Sequence, residues 1–314
     1  MDVVTLGETM VLFHPAADGP LRYVHQFEKT IGGAESNVAI GLARLGAKVS
    51  WISRLGDDEF GLYVRNFIRG EGVDTSGVVF DPRHPTAVFF KERQPGRETR
   101  VYYYRKGSAA SFMTPDDLDE TLIAQARFLH LTGITPALSA SCLATVERAI
   151  ALARRHGLTI TFDPNIRLKL WTAGQARETL TALAARCDIV LPGLEEGELL
   201  TGERTPEGIA QRLLTGETKA VVIKLGERGA FYATADGQEY VPGFPVAQVV
   251  DPIGAGDGFA AGLLFGLIRG WSYREAVRLG NRIGAYAVTV KGDVEGYPYW
   301  SQIAPDEEKP EIFR

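Results

Sequence analysis

From Arg127 to Lys224 the chain repeats one unit, a short apolar run paired with a stretch of helical spacing. The run 128–132 precedes a helix expected over 140–155, and the run 159–162 precedes one over 173–185. The run 189–191 leads into a short helix around 195–200, and the run 220–224 follows a helix near 209–214. Few folds accept this alternation, because parallel strands need crossovers, and crossover helices cover both faces of the sheet they serve. The expected class is α/β, a mostly parallel central sheet flanked by helices. Ligands of such sheets bind beyond the carboxyl ends of the strands. Gly133-Ile134-Thr135, Asp163-Pro164-Asn165-Ile166-Arg167, Glu195-Glu196 and Gly226-Glu227-Arg228-Gly229 stand at those ends.

The earlier part reads differently. After a buried central strand at 3–6, brief strand-like pieces at 11–14 and 21–27 surround a turn-rich segment, leaving no room for a helix. Residues 87–93 and 100–105 form a hairpin across a turn at 94–96. The two excursions, about 10–30 and 86–106, are expected to make one small β-sheet lid on a single unit spanning 1–314. Helices are expected at 59–69, with Phe60, Val64, Phe67 and Ile68 facing inward, and at 273–290; the acidic tail around 307–310 reads as a solvated end.

A net charge of −5 without any lysine or arginine run argues against a nucleic-acid partner. No apolar stretch approaches the ~18 residues of a membrane span, and the start has no basic, apolar leader, so a soluble, cytoplasmic protein is expected. Cys142 and Cys187 lack metal or redox spacing, and the histidines are scattered.

The loop from Asp251 to Gly258 is rich in small residues and runs into a segment with Phe259, Leu263, Leu264, Leu267 and Ile268 at the spacing of one helix face. A glycine-rich helix start holds anions on its free amides. Asp257 inside it makes a poor phosphate ligand but a good base, expected to be kept ionised by the helix start; a capped turn fits the same residues. Gly32-Gly33 likewise opens a helix carrying Val38, Leu42 and Leu45 and ended by Gly46. A bulkier residue at Gly33 would fill space where a substrate lies, and Asn37 offers a donor and an acceptor, although a tight turn and a local cap explain both. Tyr103 and Arg105 fall on one strand face, and Arg167 follows a strand end where it suits a carboxylate or phosphate as well as a surface ion pair. Glu196 suits hydrated magnesium or a solvated acidic turn. No dinucleotide fingerprint opens the first strand-helix pair, and no P-loop is present.

The stretches from Gly32 to Gly46 and from Asp251 to Leu264 resemble the N- and C-terminal signatures of the ribokinase-like (PfkB) carbohydrate kinases, and the resemblance runs from Val3 to about Gly296. It implies a ribokinase-like fold and ATP-dependent phosphorylation of a sugar hydroxyl, with Asp257 as base and the amides of Gly254, Ala255 and Gly256 holding the developing charge. It places the nucleotide near Lys224, Gly226, Gly229 and Asn281, Mg2+ near Glu196, possible monovalent-ion binding near Asp251, and subunit pairing through the lid. Tyr103 to Ala109, His130 to Ser139, Asp163 to Arg167 and Gly292 to Gly296 are similar to the 2-keto-3-deoxygluconate kinases. The sugar acid of that subgroup gives Arg105 and Arg167 a carboxylate to bind, with further contacts from Gly33, Tyr103 and Ile134. Fructose or 5-dehydro-2-deoxygluconate is the alternative substrate. Phe89 stands where related enzymes can carry tyrosine, and Gly193 replaces the asparagine of the family's Asn-x-x-Glu.

Overall fold

The structure, a computed structural model, describes residues 1–94, 96 and 99–305; Pro95 of the expected turn and the acidic tail lie outside the described residues. The first half of the chain forms β1 (Val3–Leu6), β2 (Met10–Pro15), β3 (Phe27–Gly32), α1 (Ala34–Arg44), β4 (Val49–Gly56), α2 (Glu59–Gly70), β5 (Val78–Asp81), β6 (Val88–Glu92), β7 (Arg100–Tyr104), α3 (Glu120–Ala124), β8 (Phe128–Thr132), α4 (Ile134–Leu138) and α5 (Ala140–Arg155). The second half adds β9 (Thr159–Asp163), α6 (Ala173–Ala184), β10 (Ile189–Val190), α7 (Leu194–Thr201), α8 (Pro206–Leu213), β11 (Ala220–Lys224), β12 (Ala230–Thr234), β13 (Gly237–Val241), α9 (Ala255–Ile268), α10 (Tyr273–Ala287) and α11 (Trp300–Ile303).

The large sheet has the order β13-β12-β11-β10-β9-β8-β1-β4-β5. It is parallel from β5 to β11 and closes with the antiparallel β12 and β13. Side chains on a strand alternate between faces. Val3 therefore joins a core layer with Leu42, Trp51 and Leu263, while its neighbour Val4 joins the opposite layer with Leu129, Ile150 and Phe162. Burial on both faces explains why these strands read as continuous apolar runs.

The small sheet has the order β3-β2-β6-β7, with β2 and β6 parallel and the outer strands antiparallel. One face buries Met10, Leu12 and Phe89. The other carries Phe13, Phe27 and Phe90, with the Phe13 and Phe90 rings stacked at 5.0 Å.

Three expectations change. Residues 21–23 form a 3-10 turn, with the amides of Tyr23 and Val24 bonded to the carbonyls of Pro20 and Leu21, so the strand expected at 21–27 begins only at Phe27. Phe60 does not enter the core: it is 37% exposed and meets Phe13 edge-on at 5.9 Å. Helix α9 is not amphipathic but buried on all sides from Gly258 to Gly266, because α1 and α10 clasp it. A Cβ at Gly41 would lie 2.7 Å from the Ala261 Cβ, and one at Gly262 would lie 2.9 Å from the Gly280 Cα. Small residues let three helices approach at backbone distance.

Candidate active site

The carboxyl ends of β8, β9 and β11, the start of α9 and the inner face of the small sheet enclose a cavity of about 360 Å³. It brings together Gly33, Asn37, Phe89, Tyr103, Arg105, Ile134, Arg167, Glu196, Lys224, Gly254, Gly256 and Asp257. Ala255, Gly226, Gly229 and Asn281 are not on its wall. A wider trough of about 1290 Å³ opens from it between β7 and residues 166–170, sharing Tyr103, Arg105 and Arg167. The charged side chains of Asp163, Glu196, Lys224 and Asp257 line the smaller cavity and not the trough.

Asp257 lies in the first turn of α9, whose opening residue, Gly254, has φ +83. That conformation and the Asp293 carbonyl, 2.0 Å from where a Cβ would stand, restrict the position to glycine. Asp257 Oδ2 accepts a hydrogen bond from Asn37 Nδ2 at 2.8 Å, while Asn37 Oδ1 is buried without a partner among the described residues. Burial raises the Asp257 pKa to about 7, helped by the charge of Asp163 and opposed by the Asn37 bond, Arg167 and Lys224. The expected ionisation by the helix start is thus outweighed by desolvation. The Ala255 amide points to the Pro252 carbonyl at 3.4 Å, whereas the Gly254 and Gly256 backbone lines the cavity.

The cations are not equivalent. Arg105 is paired at 2.5 Å with Glu8, a buried residue whose other oxygen accepts from Ser108 Oγ at 2.5 Å. A neutral sugar would therefore not leave Arg105 without an anion, which corrects the argument that both arginines await a substrate carboxylate. Arg105 Nε is buried without a hydrogen-bond partner among the described residues. Arg167 is exposed, and its guanidinium has no hydrogen bond or ion pair among the described residues. Lys224 Nζ contacts Asp163 Oδ2 at 2.5 Å; burial opposes its charge, but Asp163 and Glu196 outweigh this and hold the ammonium above its usual range. Lys224 Nζ lies 3.6 Å from where a Gly256 Cβ would stand, beside the start of α9.

Glu196 is tied down, its Oε2 accepting from the Gly193 amide at 2.7 Å and its Oε1 from the Ile166 amide at 2.8 Å. The amide contact of a capping box needs only backbone at 193, so glycine is tolerated there. Among the described residues no group of three or more His, Cys, Asp or Glu could cage a metal. One carboxylate on the cavity wall nonetheless fits Mg2+, which keeps waters and shares its shell with phosphates.

Gly33 is constrained from behind: a Cβ there would meet the Glu8 carbonyl at 2.4 Å. Close packing on the segment after β1, not open space for a ligand, excludes a side chain. Phe89 stacks on Tyr103 at 5.5 Å, and the Ile134 amide bonds Thr132 Oγ1 at 3.1 Å. On the far side of β11, Gly229 packs against the Val241 carbonyl, and Asn281 Nδ2 donates to the Val241 and Pro242 carbonyls at 3.1 Å. Asn281 thus clips β13 to α10, with Gly226 in the turn at φ +62.

Sequence reasoning gave no role to Glu8, Glu35, Lys91, Asp163 or Asp293. Buried Glu35 accepts from Thr132 and Thr135 at 2.7 and 2.8 Å, fixing the loop that presents Ile134; burial raises its pKa to about 6. Asp163 was findable as the last residue of a parallel strand. Lys91 was findable as a lysine on the Phe89 face of an apolar strand.

A helix start aimed at a cavity, an acid in its first turn and cations on the same wall form a geometry for moving an anionic group onto a hydroxyl, the work of small-molecule kinases. Within that class the chain belongs to the pfkB family of carbohydrate kinases, whose model matches residues 1–299. It is 42% identical to a 2-dehydro-3-deoxygluconokinase of Bacillus subtilis (strain 168), covering 97% of this chain and 94% of that one. It is 33% identical to fructokinase-1 of Zea mays, covering 96% of each. Among solved structures, a PfkB protein from Polaromonas sp. JS666 superposes with a TM-score of 0.89 at 45% identity, covering 96% of this chain and 98% of that one. An E. coli protein described as a candidate ribokinase II, solved with ATP and Mg2+, gives 0.89 at 28% identity, covering 96% and 97%. The fold is ribokinase-like.

Proposed function

We propose that the chain phosphorylates the terminal hydroxyl of 2-keto-3-deoxygluconate, giving 2-keto-3-deoxy-6-phosphogluconate, with ATP and Mg2+ as in the E. coli relative. The observation that carries the reading is the guanidinium of Arg167, unpaired among the described residues, on the wall of the cavity that holds half-buried Asp257. In the proposed reaction Asp257 takes the proton of the attacking hydroxyl, and Asn37 Nδ2 holds its carboxylate towards that hydroxyl. The amides of Gly254 and Gly256 receive negative charge developing on the transferred group, with Lys224 beside them, while the Ala255 amide, turned to the Pro252 carbonyl, takes no part. Gly33, Phe89, Tyr103 and Ile134 enclose the sugar, Arg105 holds the small sheet to Glu8 over it, and Arg167 binds its carboxylate.

Mg2+ neutralises phosphate charge when bound; Glu196 would hold it through water. The nucleotide lies beyond Lys224, along the Gly226–Gly229 turn and past Asn281. The whole chain acts as one kinase unit, with the small sheet as its lid and the lid's aromatic outer face pairing with a second copy. A cytoplasmic setting belongs to the same reading; no described helix is long and apolar enough to cross a membrane.

Because Glu8 already neutralises Arg105 and a fructokinase is among the relatives, fructose or 5-dehydro-2-deoxygluconate is the second reading. A coupled assay on all three sugars, with Arg167→Ala alongside, tests it. Preference for the 3-deoxy acid that Arg167→Ala abolishes is the expected result. Faster turnover of fructose, with Arg167 indifferent, would overturn the proposal.

A further inference from the structure

Lys91 lies in β6 among apolar neighbours and is 1% exposed. A buried ammonium is costly unless paired. Its Nζ contacts Asp251 Oδ2 at 2.9 Å and Asp293 Oδ1 at 3.1 Å. Both carboxylates belong to segments that set the start of α9. Asp251 Oδ1 accepts from the Ile253 amide at 3.1 Å, and the Asp293 backbone packs directly on Gly254. Burial opposes the charge of Lys91, but Asp293 and Asp251 outweigh it and hold the ammonium above its usual range. His14, on the same face, is pushed to about 4, first by burial and then by Lys91, so it stays neutral.

Asp251 is the residue expected near a monovalent ion. Its two oxygens are taken by an ammonium and an amide, and the same ammonium occupies Asp293. A dissolved cation does not fit between them. We propose that Lys91 is a built-in cation: its ammonium stands where a monovalent ion would and ties the small sheet to the loop that opens α9, so the anion-holding amides are set without K+. Phe89, two positions along β6 and on the same face, lines the sugar cavity. Sugar contact and anion loop are thereby joined through one strand, with Lys91 as a positioning residue. The inference rests on the kinase reading but not on which sugar is used.

The test measures sugar-dependent ADP formation by the full chain in NaCl, KCl and tetramethylammonium chloride at equal ionic strength, and melting of the ligand-free protein in the same salts. The wild type is expected to show equal rates and equal Tm in all three. Lys91→Met is expected to lose kcat by about a hundredfold, as when an anion-stabilising donor is removed, with KM for ATP little changed. KCl or methylammonium is expected to restore both its rate and its Tm. Because that variant leaves two buried carboxylates together, Lys91→Met/Asp293→Asn is made beside it and is expected to stay folded and equally slow. Activation or stabilisation of the wild type by K+, or a Lys91 variant that keeps its kcat, overturns the inference. Absence of turnover on every sugar in every salt would defeat the kinase reading alone, since the melting measurements still report on Lys91.

Discussion

At the scale of single residues, the site depends on an acid that the fold disfavours as a charge. Folding raises the Asp257 pKa from 3.8 to about 7, so between those values the folded state binds the proton more tightly than the unfolded chain. Stability contributed by the protonated acid is present at low pH and lost as pH rises through 7, while a base must be ionised to act. In the free enzyme kcat/KM is therefore expected to climb with pH across about 7, read from a pH-rate profile, with Asn37, Asp163, Arg167 and Lys224 the groups that face the carboxyl. Asp257→Asn is expected to lower kcat by about a thousandfold. At pH 8 the same change is expected to raise Tm by removing a disfavoured charge, a gain that calorimetry should see shrink as pH falls below 7 and vanish below 3.8. The two arginines separate by partner. Arg105→Ala strands Glu8 as an unpaired buried carboxylate and is expected to cost about 3–5 kcal/mol in a denaturant titration. Arg167→Ala is expected to leave the melt unchanged and to raise KM for the sugar acid by about tenfold to a hundredfold, the worth of a charge-assisted hydrogen bond.

At the scale of elements, the start of α9 is held in place by how closely three helices meet. A Cβ at Gly262 would come within 2.9 Å of the Gly280 Cα, Gly280 N and Leu279 carbonyl, all backbone atoms that cannot turn aside. Gly262→Ala is expected to cost about 1–3 kcal/mol, seen as a Tm lowered by several degrees, and to lower kcat by shifting the helix start. This contact also marks where reading the sequence stopped. Strand-helix alternation carried the large sheet because doubly buried strands are apolar throughout, and the glycine loops carried Asp257 and Asn37 because helix starts are local features. The apolar positions of α9 looked like a stripe because the remaining residues there are small, and a small residue reads alike whether it meets solvent or another helix. The pairs Glu8–Arg105 and Lys91–Asp251 join residues far apart in sequence, tying the small sheet and the end of β7 to loops outside it. No local pattern announces them, so Arg105 read as a free cation and Asp251 as an open site.

At the scale of the whole molecule, the small sheet is fixed from one side by charge and left apolar on the other. Lys91 and Arg105 anchor its inner face to Asp251, Asp293 and Glu8. Its outer face shows Phe13, Phe27 and Phe90, with Tyr102 and Tyr104 exposed at 40% and 66% along the edge strand β7. Contiguous aromatic surface of this kind favours association, and an edge strand is a liability unless covered. A second copy presenting the same face covers both at once, as a two-fold contact requires. The full chain is accordingly expected to scatter light as a dimer at micromolar concentration. Tyr104→Asp places a charge against Phe90, whose ring lies 5.8 Å away, and is expected to give monomers. If the pairing steadies the small sheet over the cavity, the monomeric variant should also show a raised KM for the sugar with KM for ATP unchanged, because Phe89 and Tyr103 belong to that sheet and Lys224 and the Gly226–Gly229 turn, the proposed nucleotide side, do not. A wild-type chain that remains monomeric at that concentration, or a Tyr104→Asp dimer, would show that the aromatic face serves the fold of the small sheet alone.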